Sequence, residues 1–364
     1  MSYFILSINP GSTSTKIGLY EDEKKIFVEN VEHPSADLDC FEEIIDQLDY
    51  RIAVVQAVLK EKGVDQKTLS AVVGRGGLFP NMHGGGYLVN QALKDTVLDD
   101  LASPHASNLG EFLADAVAAP LGIPAYIYDS ASSDELQPLA TITGMPDVRR
   151  QCQCHVLNMR ATARRVAEKY GRKYEDMKLV VAHLGGGISL SVHQGGRIID
   201  CIRDDDGPFS PERTGSVPLL YIIDMCYSGR YNKREMYKRV RGMGGLKAYF
   251  GTPDCREIEK RIEAGDEKAK IMYEAEAYQI AKGIGLLSTV LSGDVDFIVL
   301  TGGLAHSKRL TGMVAERVSF IAPVEIMPGE DEMEALTLGT LRILRGEETA
   351  SEYELPVRQK RRSL

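Results

Sequence analysis

The sequence presents one order of segments twice, and this repetition constrains the fold more than any other feature. In each copy an apolar strand runs into a turn of small residues, and two further strands follow. A helical segment and another apolar strand that ends in Gly-Gly complete each copy. Because a shared order over five segments rarely arises by chance, it indicates the duplication of a domain.

The periodicity of apolar residues defines these segments. The strands predicted for the first copy are 4–8, 17–20, 25–31, 69–73 and 124–128, and those for the second are 179–182, 188–192, 197–200 and 297–300. The predicted helices are 41–62, 103–119, 155–171, 256–291 and 334–344, with Ser103 as a cap and Pro104 as the first helical residue of the second. Strands that alternate with helices predict an α/β protein with mixed sheets flanked by helices.

Length and charge bound the class of protein. A chain of 364 residues exceeds one typical core, which favours two domains. The net charge of −9 argues against a broad nucleic-acid surface. No apolar run approaches the roughly 20 residues of a membrane span, and the start of the chain lacks the pattern of a secretory leader. We expect a cytoplasmic protein without nucleic-acid or membrane partners, and we interpret the basic segment 358–362 as a solvated terminus.

The cysteine and histidine spacings predict no metal or redox motif. Six cysteines are scattered through the chain, and Cys152 and Cys154 form a C-x-C in place of the C-x-x-C that is typical of zinc and redox sites. The seven histidines show no metal-ligand spacing such as H-E-x-x-H. We therefore predict six reduced thiols.

The turn of the first copy has the composition of an anion site. It lacks a second glycine before Lys16 and continues as a strand, so it is neither a Walker loop nor a dinucleotide fingerprint. Successive amides in a tight turn nevertheless form a concavity that binds anions. Gly11 allows close approach, Ser12 and Ser14 add donors, and Asn9 can orient a reacting group. A solvated Ser/Thr turn is the alternative, but two such tips predict a site that holds a triphosphate.

Four segments resemble the acetate and butyrate kinase family. Segments 9–16 and 183–189 are similar to its two phosphate signatures, 301–306 to its adenosine motif and 211–215 to its substrate-side arginine segment. The resemblance spans about residues 4 to 346. The triple glycine is more similar to the butyrate kinase branch, because acetate kinases carry an asparagine where Gly186 stands.

The resemblance implies a fold and an activity. The fold would be two actin-like (ribonuclease H-like) domains, 1–150 with about 333–364, and 151–332. The activity would be reversible, in-line phosphorylation of a short-chain carboxylate, butyrate or isobutyrate, to its acyl phosphate. ATP/ADP would be the co-substrate, Mg²⁺ the cofactor, and the assembly a homodimer or a larger homo-oligomer.

The resemblance also implies site residues. The implied catalytic residues are Arg75, Asp129, His155 and Arg213. The implied nucleotide-binding residues are Asn9, Gly11, Ser12, Ser14, Lys16, His183, Gly185, Gly186, Gly187, Gly302, Gly303 and Leu304. The implied acyl-substrate residues are Arg75, His105, Phe209 and Arg213. Asp129 and Glu332 would hold Mg²⁺, and the register leaves Glu334 open as the alternative to Glu332.

Structural roles compete with these assignments. Salt bridges are the alternative for the two arginines, a turn for Asp129, and helix starts for His105 and His155. Two other functions stay open at this point: an acetate or propionate kinase, and an actin-like or chaperone-like ATPase with a conformational output. The second has no need for a carboxylate-binding arginine.

Overall fold

The computed structural model describes residues 2–103 and 105–355, so Pro104 and the basic segment 358–362 lie outside the described residues. The chain divides into two compact units, Met1–Asp134 with Asp331–Leu364, and Glu135–Glu330. This division differs from the predicted boundary after residue 150.

Residues 135–150 belong to the second unit because their first turn is bonded to it. Glu135 forms a buried ion pair with Arg160 at 3.0 Å and accepts the N–H of Ile198. The N–H of Gln137 donates to the carbonyl of Ile199. These bonds attach the segment from Glu135 onward to the second unit. The apolar periodicity of the sequence does not predict them, because they join residues that are far apart along the chain.

The first unit is built on a six-stranded mixed sheet with the order β3-β2-β1-β4-β6-β5. The strands of this sheet are β1 (Phe4–Pro10), β2 (Ser14–Glu21), β3 (Lys24–Glu32), β4 (Ala71–Arg75), β5 (Gly86–Leu88) and β6 (Ala125–Tyr128), and the two-residue β7 (Ser132–Ser133) lies outside it. Strands β1, β4 and β6 are parallel, and the other pairings are antiparallel. Strand β1 is buried from Ile5 to Pro10, as its apolar sequence predicts.

The helices of the first unit cover this sheet. They are α1 (Ser35–Leu38), α2 (Leu48–Glu61), α3 (Gln91–Leu98), α4 (Gly110–Ala118) and the C-terminal helix (Glu332–Leu344). Short 3-10 turns are Ile45–Gln47, Gln66–Thr68, Ala106–Leu109 and Ala119–Leu121. The C-terminal helix packs on β1, where the hydroxyls of Ser7 and Thr337 are hydrogen-bonded at 2.7 Å.

The second unit repeats this plan with five strands in the order β11-β10-β9-β12-β13. The strands of this sheet are β9 (Leu179–Leu184), β10 (Ile188–Gln194), β11 (Arg197–Ile202), β12 (Phe297–Gly302) and β13 (Val324–Pro328), and the two-residue β8 (Cys152–Gln153) lies outside it. Its helices are α5 (Val156–Lys169), α6 (Leu219–Tyr227), α7 (Lys233–Val240), α8 (Gly245–Phe250), α9 (Cys255–Glu263), α10 (Glu267–Ser288) and α11 (Lys308–Val318). Its 3-10 turns are Pro138–Thr141, Tyr174–Asp176, Thr289–Leu291 and Gly303–His306.

The two sheets confirm the predicted α/β class and the repeat. In each unit three antiparallel strands are followed by parallel strands on the other side of the first strand. Thus β1 corresponds to β9, β4 to β12 and β6 to β13. Within the described part of the chain, no helix is both long and apolar enough to cross a membrane.

Three of the predicted helices depart from the structure by more than two residues. Helix α2 begins at Leu48, seven residues after the predicted start. The segment predicted as one helix from 256 to 291 is divided at Gly265, whose φ of +88° ends α9. The carboxylate of Asp266 then caps α10. Periodicity continues across such a break, so it does not reveal the division.

The helix predicted from Ser103 begins later, at a close contact between two backbones. A Cβ atom on Gly74 would lie 2.1 Å from the carbonyl oxygen of Gly110. This approach of β4 and α4 needs glycine on both sides. A 3-10 turn capped by His105 therefore precedes α4.

Candidate active site

The parallel strands of the first unit bring three predicted residues to one edge of the sheet. Asn9 is near the end of β1, Arg75 ends β4 and Asp129 follows β6. Arg75 pairs in register with Tyr128, and Ile8 pairs with Gly74. The carboxyl ends of such strands are where open α/β sheets bind ligands.

Glu332 joins two of these residues. Its Oε1 lies 2.6 Å from Nη1 of Arg75, and its Oε2 accepts a hydrogen bond from Nδ2 of Asn9 at 2.5 Å. Among the described residues, the buried Nε of Arg75 and Oδ1 of Asn9 have no hydrogen-bond partner. Buried polar atoms without partners are costly, and here they leave one donor and one acceptor for a ligand.

The geometry distinguishes Glu332 from Glu334. Glu332 bonds to the cluster of Asn9 and Arg75. The carboxylate of Glu334 instead lies near Tyr20, whose pKa is raised by burial and further by Asp331 and Glu334. The C-terminal helix thus presents Glu332 to this edge of the sheet.

Asp129 is held by backbone contacts to a distant loop. Its Oδ1 accepts the N–H of Gly85 at 2.8 Å, and its own N–H donates to the carbonyl of Gly85 at 3.0 Å. Its φ of +42° lies in the left-handed region, which costs a non-glycine residue about 1–3 kcal/mol. This buried carboxylate is thus fixed at the end of β6 against a backbone preference.

The tip of the first hairpin is closed by its backbone and braced by an arginine that sequence reasoning missed. The N–H of Gly11 donates to the carbonyl of Ser14 at 2.8 Å. The fully buried Arg51 donates to the carbonyls of Ser14 at 3.2 Å and Ser12 at 3.4 Å. Burial lowers the pKa of Arg51. Its signal in the sequence is an arginine at a core-facing position of α2, four residues before the buried Val55.

The other predicted residues of the first unit lie at the tip and near α4. Lys16 stands opposite Asn9 in the β1–β2 register, so both side chains lie on one face. Ser12 is exposed and Ser14 is half-buried. The Nδ1 of His105 accepts the N–H of Ser107 at 3.2 Å. The capping alternative for His105 is thus observed.

Two histidines stack in the second unit. The rings of His155 and His183 are nearly parallel, with centroids 3.8 Å apart. Nδ1 of His155 is hydrogen-bonded to the hydroxyl of Ser189 at 2.9 Å, and Nδ1 of His183 lies 3.0 Å from Nδ2 of Asn158. Because these bonds engage Nδ1, they fix the orientation of each ring.

The triple glycine forms the second hairpin tip. The carbonyl of Gly186 accepts the hydroxyl of Ser210 at 2.7 Å and the N–H of Glu212 at 3.0 Å. A Cβ atom on Gly187 would lie 3.0 Å from the carboxylate of Asp204. Gly185 donates its N–H to the carbonyl of Gly187 at 3.2 Å. The tip thus packs closely on the loop that carries Arg213.

Arg213 belongs to an ion-pair cluster that the sequence did not predict. Its Nε lies 3.1 Å from Oδ2 of Asp204, and Arg241 bonds to Oδ1 of the same carboxylate. Burial alone would raise the pKa of Asp204, but Arg241 and Arg213 outweigh it and the pKa is lowered. Asp204 and Arg241 lie outside every recognised motif, so only the fold could reveal them.

The remaining predicted residues of the second unit lie at a close backbone contact, in an exposed turn or against the core. Gly302 has a φ of +89°, and a Cβ atom there would lie 2.4 Å from the carbonyl of Leu184. Gly303 is exposed at the start of a 3-10 turn. Leu304 and Phe209 pack against the core of this unit. The ring of Phe209 is therefore partly engaged in packing.

Comparison with known proteins identifies the family. A model described as the acetokinase family matches residues 146–323. The chain is 48% identical over 350 residues to a protein of Caldanaerobacter subterraneus subsp. tengcongensis named probable butyrate kinase 2, covering 96% of this chain and 99% of that one. The chain belongs to the acetokinase family. The family predicted from the sequence motifs is confirmed.

Two further relatives agree with this acetokinase membership. A protein of Clostridium botulinum (strain Alaska E43 / Type E3) named probable butyrate kinase is 44% identical over 355 residues, covering 97% of this chain and all of that one. The crystal structure of Porphyromonas gingivalis acetate kinase has a TM-score of 0.76 at 18% identity, covering 94% of this chain and 100% of that one. At this identity, the second likeness concerns the fold alone.

The carboxyl edge of the first acetokinase unit suits Mg²⁺ chemically. Mg²⁺ binds through one or two carboxylates together with phosphate oxygens and waters. Glu332 and Asp129 supply carboxylates at this edge, and the unpartnered Oδ1 of Asn9 is a neutral oxygen donor. All three donors are hard oxygens, which match the preference of the ion.

Proposed function

We propose that this protein catalyses the reversible, ATP-dependent phosphorylation of a short-chain carboxylate, butyrate or isobutyrate, to its acyl phosphate. The cluster of Arg75, Glu332 and Asn9 at the carboxyl edge of the first sheet carries the proposal. The names of the two relatives support the choice of butyrate over acetate or propionate.

The chemistry requires cations more than a base. A short fatty acid has a pKa of about 4 to 5, like glutamate, so it is already ionised at neutral pH. The difficulty is to bring this anion against a triphosphate. Arg75 and Arg213 each present a guanidinium, which grips a carboxylate or a phosphoryl group at two points. The guanidinium of Arg75 is held by the carboxylate of Glu332, and that of Arg213 by the carboxylate of Asp204.

The hairpin tips would hold the nucleotide. We assign Gly11, Ser12, Ser14 and Lys16 to phosphate binding in the first unit, and 185–187 with His183 in the second. Gly302, Gly303 and Leu304 would contact the adenosine. Backbone amides in turns suit this task because they give fixed dipoles without a side chain in the way.

Asp129 and Glu332 would hold Mg²⁺ at the first sheet. A bound Mg²⁺ would neutralise phosphate charge there. Asn9 then orients the carboxylate of Glu332 through the 2.5 Å hydrogen bond.

His155 would stabilise the phosphoryl group during transfer. Its Nδ1 is hydrogen-bonded to the hydroxyl of Ser189, which fixes the orientation of the ring. A donor fixed before the reaction stabilises developing charge without reorganisation. His105 would act near the acyl chain, in addition to its capping bond, and Phe209 would border it.

We also propose that the protein is a cytoplasmic homo-oligomer. Its six cysteines are all free, which suits a reducing compartment. Helix α6 exposes the large apolar side chains of Leu219, Leu220 and Tyr227. Monomers rarely expose such a patch, and a second copy of the same low-charge helix fits it. Light scattering after gel filtration tests the assembly.

The test of function is acyl-phosphate formation, trapped as the hydroxamate. The protein is incubated with Mg-ATP and, separately, acetate, propionate, butyrate, isobutyrate or valerate. We expect the largest kcat/KM with butyrate or isobutyrate. A preference for acetate would overturn the substrate assignment, and ATP binding without product from any acid would overturn the kinase proposal.

A further inference from the structure

Three cysteine side chains converge at a place in the second unit that the proposed chemistry does not use. The Sγ atoms of Cys152, Cys154 and Cys201 all lie within 4.8 Å of one another. Those of Cys152 and Cys154 are 3.7 Å apart, and all three thiols are free. Among the residues that the structure describes, this is the one group of three or more Cys, His, Asp or Glu side chains close enough to share an ion.

The fold assembles this thiol cluster, defined as Cys152, Cys154 and Cys201, from two separate segments. Cys152 opens β8, and the alternation of an extended chain turns Cys154 toward the same side. Cys201 comes from β11, 47 residues beyond Cys154, where β8 and β11 are in contact. Apolar neighbours, Val156 and Ile198, surround the cluster. Cys152 and Cys201 are buried, and Cys154 is half-buried.

We propose that the thiol cluster binds one thiophilic divalent ion of the Zn²⁺ class. Zinc–thiolate bonds of about 2.3 Å in a tetrahedron set neighbouring sulfur atoms about 3.8 Å apart. The 3.7 Å separation of the Cys152 and Cys154 sulfur atoms is close to this value. The sulfur of Cys201 lies within 4.8 Å of both, so a movement of about 1 Å brings it to the same separation. Sulfur donors select soft ions and disfavour Mg²⁺. A fourth ligand, such as water, would reach the ion on the side of the half-buried Cys154.

The charge balance of this site is favourable. Binding breaks three S–H bonds and releases three protons to solvent, and no electron is transferred. Three thiolates and one Zn²⁺ carry a net charge of −1. Arg150 places a guanidinium nitrogen 3.2 Å from the carbonyl oxygen of Cys201, and the same nitrogen lies 3.0 Å from the carboxylate of Asp206, so its charge is shared between that carboxylate and the site.

The bound ion would tie two elements together. Cys154 immediately precedes His155, the N-cap residue of α5, and Cys201 lies on β11. An ion that binds the folded state alone stabilises it by mass action. The site therefore predicts that Zn²⁺ raises the melting temperature, independently of the kinase proposal.

Cobalt provides the direct test, because Co²⁺ takes the place of Zn²⁺ and absorbs visible light. The reduced, nucleotide-free full chain is titrated with Co²⁺ under argon. We expect one equivalent to produce tetrahedral d–d bands with thiolate-to-cobalt charge transfer, and Zn²⁺ to abolish them. Zn²⁺ should also raise the melting temperature by several degrees.

Matched variants locate the ion. Cys201→Ser and Cys154→Ser should each lose the charge-transfer bands and the thermal shift, whereas Cys226→Ser, an exposed thiol outside the cluster, should keep both. Circular dichroism confirms folding, and the half-buried Cys154 gives a second variant should Cys201→Ser not fold. Absence of tetrahedral bands in the parent chain, or their persistence in both cluster variants, would overturn the proposal.

Discussion

The two hairpin tips occupy equivalent positions in the two sheets, yet different devices hold them. The first tip is braced by the buried guanidinium of Arg51, which bonds the carbonyls of Ser12 and Ser14. The second is held by neutral groups, because the carbonyl of Gly186 accepts Ser210 and Glu212. The two units therefore share the order of strands in the sheet, but the groups that hold their hairpin tips differ.

The helices behind the tips extend this contrast. Helices α2 and α10 both lie between the third and fourth strands of their repeats. Helix α2 buries Arg51 with several acceptors, whereas α10 buries Glu276, whose two carboxylate oxygens have no partner among the described residues. A charge that is bonded supports its surroundings, and one without partners is forced toward its neutral form.

The largest effect on kcat/KM should come from replacing the two arginines to which we assign catalytic roles, one in each unit. Arg75→Ala and Arg213→Ala should each lower kcat/KM by about 10²- to 10³-fold, because each would remove a fixed positive charge to which we assign transition-state stabilisation. Lysine should restore only part of the rate, since it lacks the two-point fork. Hydroxamate kinetics measure this.

Arg256→Ala is the control, because Arg256 is 87% exposed. If only one of the two arginine variants loses activity, the proposed division of cations between the units is wrong. Equal, small losses in all three variants would remove the arginines from the mechanism altogether.

A second test concerns the buried carboxyl of α10. Burial raises the pKa of Glu276 from 4.5 to about 8. Between these values the folded state keeps a proton that the unfolded state has released. The free energy of unfolding therefore falls as pH rises, by about 1.4 kcal/mol per pH unit from this residue.

Glu276→Gln should abolish that contribution and should gain stability over the parent chain as pH rises from 5 to 7. Urea unfolding at several pH values measures the difference. Glu274→Gln, on the exposed side of the same helix, should leave the pH dependence unchanged. A parallel pH dependence in the parent chain and Glu276→Gln would contradict the contrast with α2.

The metal assignment in the first unit predicts a smaller effect. Glu332→Gln should raise the Mg²⁺ concentration needed for half-maximal activity by about 10- to 100-fold, because a carboxylate becomes a neutral amide. Glu334→Gln should change it little, since Glu334 lies toward Tyr20. A larger effect from Glu334 would reverse the choice between the two acids.

The smallest expected effects are losses of stability in variants that remove a hydrogen-bond donor from each hairpin tip. Arg51→Met leaves two backbone carbonyls without their donor and should cost about 1–3 kcal/mol of stability, whereas Ser210→Ala should cost about 1 kcal/mol. Urea unfolding measures both, and the KM for ATP reports the tips themselves. A greater loss from Ser210→Ala would indicate that the neutral tip is the more tightly held one.

Much of the fold followed from patterns in the sequence. The strand–turn–strand order was visible because buried strands are continuous apolar runs and turns are marked by glycine and hydroxyl residues. The helix limits were less predictable. The break at Gly265 and the turn capped by His105 depend on a φ value and on a backbone contact between β4 and α4.

The candidate site was predictable to the extent that its residues lie in local motifs. Arg213 and the two hairpin tips belong to such motifs, Arg75 follows a predicted strand, and His155 stands at the start of a predicted helix. Arg51, Asp204 and Arg241 belong to no such motif, because their partners are brought to them by packing.

The sequence by itself determined the class of fold, the repeat and the family, since each depends on the order of residues along the chain. Only the tertiary structure decided that Glu332 bonds Arg75 and that Cys201 joins the C-x-C pair. The physical reason is the same in both cases. Side chains that are distant in sequence interact when strand register and helix packing bring them together, and a single sequence does not record those distances.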